Sequence, residues 1–217
     1  LRSHAMDLRL DGKTALVTGG SRGIGRGIAA AFAASGAKVM IASRKADSCE
    51  EAAAAIGHDC QWYAANVGHA DQAEALVDHT LEQFGAIDIL VNNAGANPYA
   101  GPTIDVDVPR WEKTIQVNMT APLVLTQLCW NKYMKDGPGG STIINISSVG
   151  GLSTNEQLGV YDVAKAGLIH LTKQLAAELG PKVRVNCIAP GLIKTDFARI
   201  LWEGPRGAEV ADAYPLK

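Results

Sequence analysis

The amino-acid sequence predicts one α/β domain in which helices cover both faces of a doubly wound parallel sheet. Short apolar runs alternate with segments of helical periodicity along the chain, which is the order that builds a parallel sheet with right-handed crossovers. The 217 residues, 47% of them hydrophobic, are enough to bury the core of one domain. The chain contains no repeat, linker or low-complexity segment that would divide it.

Six short apolar runs are predicted to form the strands of this sheet. They are rich in aliphatic and β-branched residues, which is typical of strands that are buried on both faces. In chain order they are residues 13–18, 39–42, 61–67, 87–91, 142–146 and 183–188.

Five segments between the strands have the periodicity of helices. Gly36 and Gly85 supply the ends of the first and third helix. Pro122 is expected to bend or break the fourth, because proline cannot donate a helix hydrogen bond. In chain order the helices are predicted over residues 23–35, 46–56, 71–84, 109–133 and 161–179.

Charge and cysteine spacing argue against several classes of function. The net charge of −2, from 20 basic and 22 acidic residues, comes without basic clusters, so we expect no nucleic-acid partner. No apolar stretch approaches the length of a membrane span, and no membrane partner is expected. The four cysteines have neither metal-ligand spacing nor a disulfide pattern, which predicts no metal site and a cytoplasmic location.

The N-terminal end of the chain carries an expectation of its own. Residues 1–5 are expected to be the remnant of an expression tag, with Met6 as the native start and residues 6–217 as the domain.

A glycine-rich turn follows the first predicted strand and reads Thr18-Gly19-Gly20-Ser21-Arg22-Gly23-Ile24-Gly25. Glycines let the backbone approach a pyrophosphate, and the N-terminus of the next helix favours its charge. Ligands of such sheets bind beyond the carboxyl ends of the strands. The turn therefore predicts a nucleotide site; the alternative is that the glycines only permit a tight connection.

Tyr161 and Lys165 stand four positions apart at the start of the last predicted helix, so they share one helix face. A phenol titrates near pH ~10 in water, and a nearby cation lowers its pKa toward neutrality. The pair predicts a proton-transfer site. The alternative is that both side chains belong to a solvated helix face.

Further motifs recur in the order and spacing of the short-chain dehydrogenase/reductase family, which the chain resembles from Gly12 to about Phe197. They are the TGGSRGIG turn, Asn92-Asn93-Ala94-Gly95 after the fourth strand, Asn118 in the long helix, Ile146-Ser147-Ser148 at the end of the fifth strand, and Pro190-Gly191 after the sixth. The resemblance implies a Rossmann-type fold. Within the family the chain is similar to 3-oxoacyl-thioester reductases and to NADP carbonyl reductases.

The resemblance implies four catalytic residues. Tyr161 exchanges a proton with the substrate oxygen, while Lys165 lowers the pKa of Tyr161 and binds the nicotinamide ribose. Ser148 holds the substrate oxygen, and Asn118 anchors a water in a proton relay. Ser147 is the alternative to Ser148, but the family's spacing to Tyr161, thirteen residues, favours Ser148.

The resemblance also implies cofactor-binding residues at the ends of several strands. They are Gly19, Ser21, Arg22, Gly23, Ile24, Gly25, Ser43, Arg44, Asn66, Val67, Asn93, Gly95, Tyr161, Lys165, Pro190, Ile193 and Thr195. Asn66 departs from the aspartate that the family usually has there, although asparagine can still hydrogen-bond the adenine amino group.

The choice of cofactor can be argued from charge. Ser43 stands at the end of the second strand, where a carboxylate would hold the ribose 2′-hydroxyl and repel a 2′-phosphate. Arg22 and Arg44 supply guanidinium groups that suit bidentate phosphate contacts. We therefore expect NADP(H) in preference to NAD(H). If these cations only solvate a loop, the preference is undecided.

These observations predict an oxidoreductase that interconverts a ketone and a secondary alcohol. The resemblance implies a small-molecule carbonyl or acyl-thioester substrate and a homo-oligomer, either a dimer or a tetramer. The alternative is a non-enzymatic NADP-binding sensor or scaffold, which has no need of all four catalytic residues. Family members continue through a seventh strand, so this C-terminal strand is expected to be missing. Phe197, Ile200, Leu201 and Trp202 predict either an apolar lid or simple helix packing.

Overall fold

A computed structural model of the chain describes residues 8–197 and 199–203. The expected tag remnant at residues 1–5 and the chain beyond Glu203, to which the prediction of a missing strand applies, lie outside these residues. Within them, all strands of one six-stranded sheet pair in parallel. The strands are β1 (Thr14–Thr18), β2 (Lys38–Ser43), β3 (Gln61–Ala64), β4 (Ile89–Asn92), β5 (Ser141–Ile146) and β6 (Val183–Ile188).

The strand order β3-β2-β1-β4-β5-β6 confirms the predicted doubly wound sheet. The order reverses between β1 and β4, which is where a crevice opens beyond the carboxyl ends of the strands. The helices are α1 (Gly23–Ala34), α2 (Ala46–Ile56), α3 (Ala70–Phe84), α4 (Val108–Ile115), α5 (Ala121–Cys129), α6 (Gly159–Leu179) and α7 (Arg199–Trp202).

Both faces of the sheet are buried, as parallel strands require. On one face, residues such as Leu16 and Leu90 pack in a core cluster with α3, α5 and α6. On the other, residues such as Val17 and Ile41 pack with α1 and α2. Because alternate residues of a strand point to opposite faces, β1 contributes to both cores, and all five of its residues are buried. No described helix has the length and apolarity that crossing a membrane requires.

The third strand ends earlier than predicted, at Ala64 rather than at residue 67. The backbone N–H of Asn66 donates to the side chain of Gln72, and that of Gly68 donates to the side chain of Asn66. These side-chain hydrogen bonds turn the backbone away from β2, so the strand ends although the apolar run of the sequence continues.

The break predicted in the fourth helix is a π-helical segment, Gln116–Thr120, between α4 and α5. Pro122 has no N–H to donate to the carbonyl of Asn118 four residues earlier. The chain widens by one residue instead, and the N–H of Ala121 donates to the carbonyl of Gln116. This widened turn is where Asn118 lies.

Replacing Leu125 by alanine should reduce the free energy of unfolding by about 2–5 kcal/mol, because it opens a cavity in a packed core. Leu125 is 1% exposed and belongs to the α3–α5–α6 side of the core. Leu152→Ala is the matched control, since Leu152 is 70% exposed, and it should change stability by less than about 0.5 kcal/mol. Urea unfolding of both variants measures the difference; equal losses would contradict the described packing.

Candidate active site

The side chains predicted to act on a cofactor and substrate meet at the carboxyl edge of the sheet. A Cβ placed on Gly95, after β4, would lie 3.1 Å from Asn118 Oδ1 and 3.9 Å from Lys165 Nζ. A Cβ placed on Gly23 would lie 3.3 Å from Thr195 Cγ2. Residues far apart in the sequence are therefore neighbours around one crevice.

The glycine-rich turn is folded so closely that side chains would not fit. A Cβ on Gly25 would overlap the carbonyl oxygen of Gly19, and Gly23 has a φ of 55°, a conformation that favours glycine. The start of α1, including Ile24, has no side-chain cap and no acidic residue in its first turn. Its N–H groups are thus available to an anion, which is what a pyrophosphate-binding turn needs.

The end of β2 lies against the glycine-rich turn. The hydroxyl of Ser21 donates to that of Ser43 over 2.9 Å. Arg22 and Arg44, next to these serines, are exposed. Within the described part of the chain neither arginine forms an ion pair with a carboxylate. The arrangement offers two hydroxyls and two guanidinium groups to a bound phosphate.

Two predicted cofactor residues have their side chains engaged within the protein. Asn93 donates from Nδ2 to the carbonyls of Thr18 and Gly19, over 2.8 and 3.2 Å. Val67 is buried in the core. Asn93 therefore supports the glycine-rich turn from behind, and any cofactor contact of Val67 would have to come from its backbone.

A chain of buried amides runs behind the crevice, and of its members the sequence singled out only Asn92. Asn92 Nδ2 donates to Asn145 Oδ1 over 2.8 Å, and Asn145 Nδ2 donates to Thr172 Oγ1 over 2.9 Å. It links β4 to β5 and β5 to α6. The only signal in the sequence was a polar residue inside an apolar strand, at position 145 of β5.

Lys165 lies under Tyr161 and is only 3% exposed. Its Nζ donates to the carbonyl of Ile146 over 2.8 Å and lies 5.4 Å from the centroid of the Tyr161 ring. The pKa of Lys165 is lowered to about 8, chiefly by burial, and an electrostatic interaction with Cys187 partly opposes this. The helix therefore presents the ammonium to the crevice from below the phenol.

The pKa of Tyr161 moves in the opposite direction from the one expected. Its pKa is raised to about 12, chiefly by burial and also by the charge of Asp162, and a hydrogen bond with Ser148 acts to lower it. Lys165 Nζ donates its described hydrogen bond to the carbonyl of Ile146 and not to the phenol. Tyr161 therefore holds its proton at neutral pH.

The two adjacent serines after β5 point in different directions, as neighbours in extended backbone do. Ser147 is buried and donates to the carbonyl of Lys165 over 2.9 Å, so it anchors α6. Ser148 bonds Tyr161 and accepts a hydrogen bond from the N–H of Gly150 over 3.1 Å. Of the two, Ser148 is the one that reaches the phenol.

Asn118 is fully buried and fastens the segment after β4. Its Nδ2 donates to the carbonyl of Ala96 over 2.6 Å and to that of Thr114 over 2.8 Å. The side chain is therefore committed to the protein. Its backbone carbonyl is the one that Pro122 cannot bond.

The segment after β6 returns across the crevice. The carbonyl of Pro190 accepts from the N–H of Val149 over 3.0 Å, and Ile193 is half-exposed. The ring of Phe197 lies 6.0 Å from that of Tyr161, centroid to centroid, and Trp202 Nε1 donates to the carbonyl of Thr195. The side chains of Ile200 and Leu201, which the lid prediction also includes, lie outside the described residues.

Asp162 is a further residue of the site that was not predicted. It is 6% exposed, and neither carboxyl oxygen has a hydrogen-bond partner in the described structure. A Cβ on Gly150 would overlap its Oδ1. Burial raises the pKa of Asp162 to about 6.

Among the described residues, no group of three or more His, Cys, Asp or Glu could hold a metal ion.

Comparisons with known proteins identify the family to which the chain is similar. The model of the short chain dehydrogenase family matches residues 13–205. Dehydrogenase/reductase SDR family member 4 of Homo sapiens is 42% identical over 197 residues, which are 89% of this chain and 70% of that protein.

Two solved structures extend the comparison to the fold. The RhlG/NADP active-site complex of Pseudomonas aeruginosa has 35% identity and a TM-score of 0.87, covering 95% of this chain and 82% of that one. The 3-ketoacyl-(acyl-carrier-protein) reductase of Brucella melitensis, complexed with NADH, has 33% identity and a TM-score of 0.83, covering 87% of this chain and 78% of that one. The two complexes hold different cofactors.

Replacing Asp162 by asparagine should stabilise the protein above pH 6 and leave its stability nearly unchanged below pH 4. The folded pKa of about 6 lies above the ordinary value of 3.8. The stability that the protonated carboxyl contributes is therefore complete below pH 3.8 and is lost as the pH rises through 6. Thermal unfolding from pH 4 to 8 measures this, with Asp71→Asn, an exposed first-turn aspartate of α3, as control. A pH-independent difference would contradict burial of an unpaired carboxyl.

Proposed function

The chain belongs to the short chain dehydrogenase family, and we propose that it is an NADP(H)-dependent enzyme that interconverts a ketone and a secondary alcohol. The observation that carries the proposal is the meeting of Tyr161, Ser148 and Lys165 beside Gly95, at the edge of the sheet that holds the glycine-rich turn. A proton donor, a hydroxyl and a buried cation next to a nucleotide-binding turn are what carbonyl reduction requires.

Each of the proposed catalytic side chains has a separate role. In reduction, Tyr161 gives its proton to the carbonyl oxygen of the substrate, and the hydroxyl of Ser148 donates a hydrogen bond to the same oxygen. In oxidation, the phenolate of Tyr161 takes the proton back. Bound cofactor supplies or accepts the hydride.

Lys165 and Asn118 return a proton to Tyr161 after Tyr161 has given its own to the substrate. The pKa of Lys165, about 8, allows its ammonium to lose and recover a proton near neutral pH. Asn118 lies within the widened turn, and Pro122, which has no N–H, cannot donate to its backbone carbonyl. That carbonyl is the proposed anchor for a water between Lys165 and solvent.

The preference for NADP(H) rests on the end of β2. Ser43 introduces no negative charge there, and the exposed Arg22 and Arg44 are unpaired among the described residues. A 2′-phosphate would supply the negatively charged partner that Arg22 and Arg44 lack there. The Pseudomonas relative was solved with NADP and the Brucella relative with NADH, so the preference depends on these residues of the chain itself.

The proposed substrate is an apolar ketone or a 3-oxoacyl thioester. Val149 and Leu152, which come just after Ser148 in the sequence, expose apolar side chains, and so does Phe197, whose ring lies beside that of Tyr161. The Brucella relative is a 3-ketoacyl-(acyl-carrier-protein) reductase, which favours the thioester branch. We further propose that the enzyme is a cytoplasmic dimer or tetramer, in keeping with its four free cysteines.

Replacing Tyr161 by phenylalanine should abolish turnover, by at least about a hundredfold, because the proton donor is lost. The assay follows NADPH consumption with an acetoacetyl thioester, an aromatic diketone, a retinoid and a cyclic ketone. Cofactor binding should persist in the variant, and Tyr63→Phe, a tyrosine of β3, is the matched control. Cofactor binding without turnover of any ketone by the wild-type chain, or turnover untouched by Tyr161→Phe, would favour a nucleotide sensor instead.

Replacing Arg44 by alanine should raise the Kd for NADPH by about 10- to 100-fold and leave that for NADH within about twofold. One charge-assisted hydrogen bond contributes about 1.5–3 kcal/mol, and 1.4 kcal/mol corresponds to tenfold. Arg22→Ala should act in the same direction, while Arg184→Ala, an exposed arginine of β6, should change neither constant. Titration calorimetry measures all four proteins. Equal losses for both cofactors would contradict a 2′-phosphate site.

A further inference from the structure

Asp162 is a buried carboxyl beside Tyr161 to which the proposed reaction gives no part. It follows Tyr161 in the first turn of α6, is 6% exposed, and neither oxygen has a partner in the described structure. Its carboxyl occupies the space that a Cβ of Gly150 would fill. A buried carboxyl without partners reduces the stability of the protein when it is charged. Its retention beside Tyr161 therefore suggests a role in the site.

The turn Val149–Gly151 joins this carboxyl to the reacting groups. Gly150 lies against Asp162, and its N–H donates to Ser148 Oγ, whose hydroxyl bonds Tyr161. Gly151 packs on the backbone of Lys165 and Ala166, so the turn and α6 are in close contact. Asp162 is therefore held between the helix that carries the phenol and the turn that orients its hydroxyl partner.

We propose that Asp162 is a positioning residue that sets the pH range over which Tyr161 exchanges its proton with the substrate oxygen. The inference rests on the proposed function of Tyr161. The proton moves between the phenol oxygen and the substrate oxygen, and Asp162 exchanges none with either. Its charged carboxylate opposes the formation of a second negative charge on Tyr161, and its protonated form does not.

The electrostatics agree with this placement. The charge of Asp162 raises the pKa of Tyr161, in addition to the larger effect of burial. Burial places the pKa of Asp162 itself near 6. At neutral pH the carboxyl is thus mostly charged and acts on Tyr161, whereas below pH 6 that effect disappears.

Other titratable groups on the elements packed against α6 do not offset the charge of Asp162. On α6, the ammonium of Lys165 is bound to the carbonyl of Ile146, and β6 adds Cys187, which acts on Lys165. The turn Val149–Gly151 and the π-helical segment contain no titratable residue.

The remaining charges nearby are engaged elsewhere or exposed. In α4, Arg110 pairs with Asp107, Lys113 bonds Gln116, and Glu112 is exposed. In the segment that carries Phe197, Asp196 pairs with Arg199, and Lys194 is exposed. Arg184 of β6 is also exposed.

The test is the pH profile of kcat/KM for ketone reduction by the full chain with NADPH, from pH 5 to 10. The wild type should show an inflection near pH 6, where Asp162 titrates. In Asp162→Asn, which keeps the shape and removes the charge, this inflection should be absent, because no carboxylate forms there to oppose ionisation of Tyr161. Asp162→Ser should likewise lack the inflection although it is smaller, because the effect is one of charge.

The outcomes separate this inference from the proposed function. Asp71→Asn, which removes an exposed first-turn carboxylate, should keep the wild-type profile. Turnover that depends on Tyr161, with superimposable profiles for the wild type and both Asp162 variants, would overturn the role of Asp162 alone. Loss of the inflection in Asp162→Asn but not in Asp162→Ser would also overturn it, since shape rather than charge would then be responsible. Turnover independent of Tyr161 would overturn the proposed function itself.

Discussion

The arrangement of the site depends on a set of buried amide hydrogen bonds at the carboxyl edge of the sheet. Asn93 holds the glycine-rich turn after β1, and Asn92 holds Asn145 of β5. Asn145 in turn holds Thr172 on α6, the helix that carries Tyr161 and Lys165. Buried polar groups are stable only when they are paired. Together these bonds connect the glycine-rich turn to the helix that carries Tyr161.

Much of the fold follows from local patterns in the sequence. Short apolar runs and glycine stops predicted six strands and their intervening helices, and Pro122 predicted the break that the π-helical segment makes. The predicted end of β3 was wrong by three residues, because hydrogen bonds between side chains and the backbone around Asn66 end its pairing with β2. Such bonds leave no periodic signal. The residues proposed for the crevice came from the glycine-rich turn, from the spacing of Tyr161 and Lys165, and from the motifs shared with the family.

What the sequence could not predict is the direction in which individual side chains point. Asn93 turns inward to the backbone, Lys165 binds Ile146, and Asp162 is buried against Gly150. Each orientation depends on contacts between segments far apart in the chain. The same contacts reverse the expected pKa change of Tyr161, since burial and the charge of Asp162 outweigh the hydrogen bond from Ser148. Spacing predicted which groups react, but only their surroundings determine their acidity.

The most direct test of the proposed chemistry follows deuterium from C4 of labelled NADPH into the product. Both C4-labelled forms would be incubated with the full chain and a ketone that is turned over, and the alcohol would be analysed by mass spectrometry. The proposal predicts one deuterium on the carbinol carbon from one of the two labelled forms, and none with Tyr161→Phe. Unlabelled alcohol from both forms, or tight NADPH binding without alcohol, would contradict hydride transfer at this site.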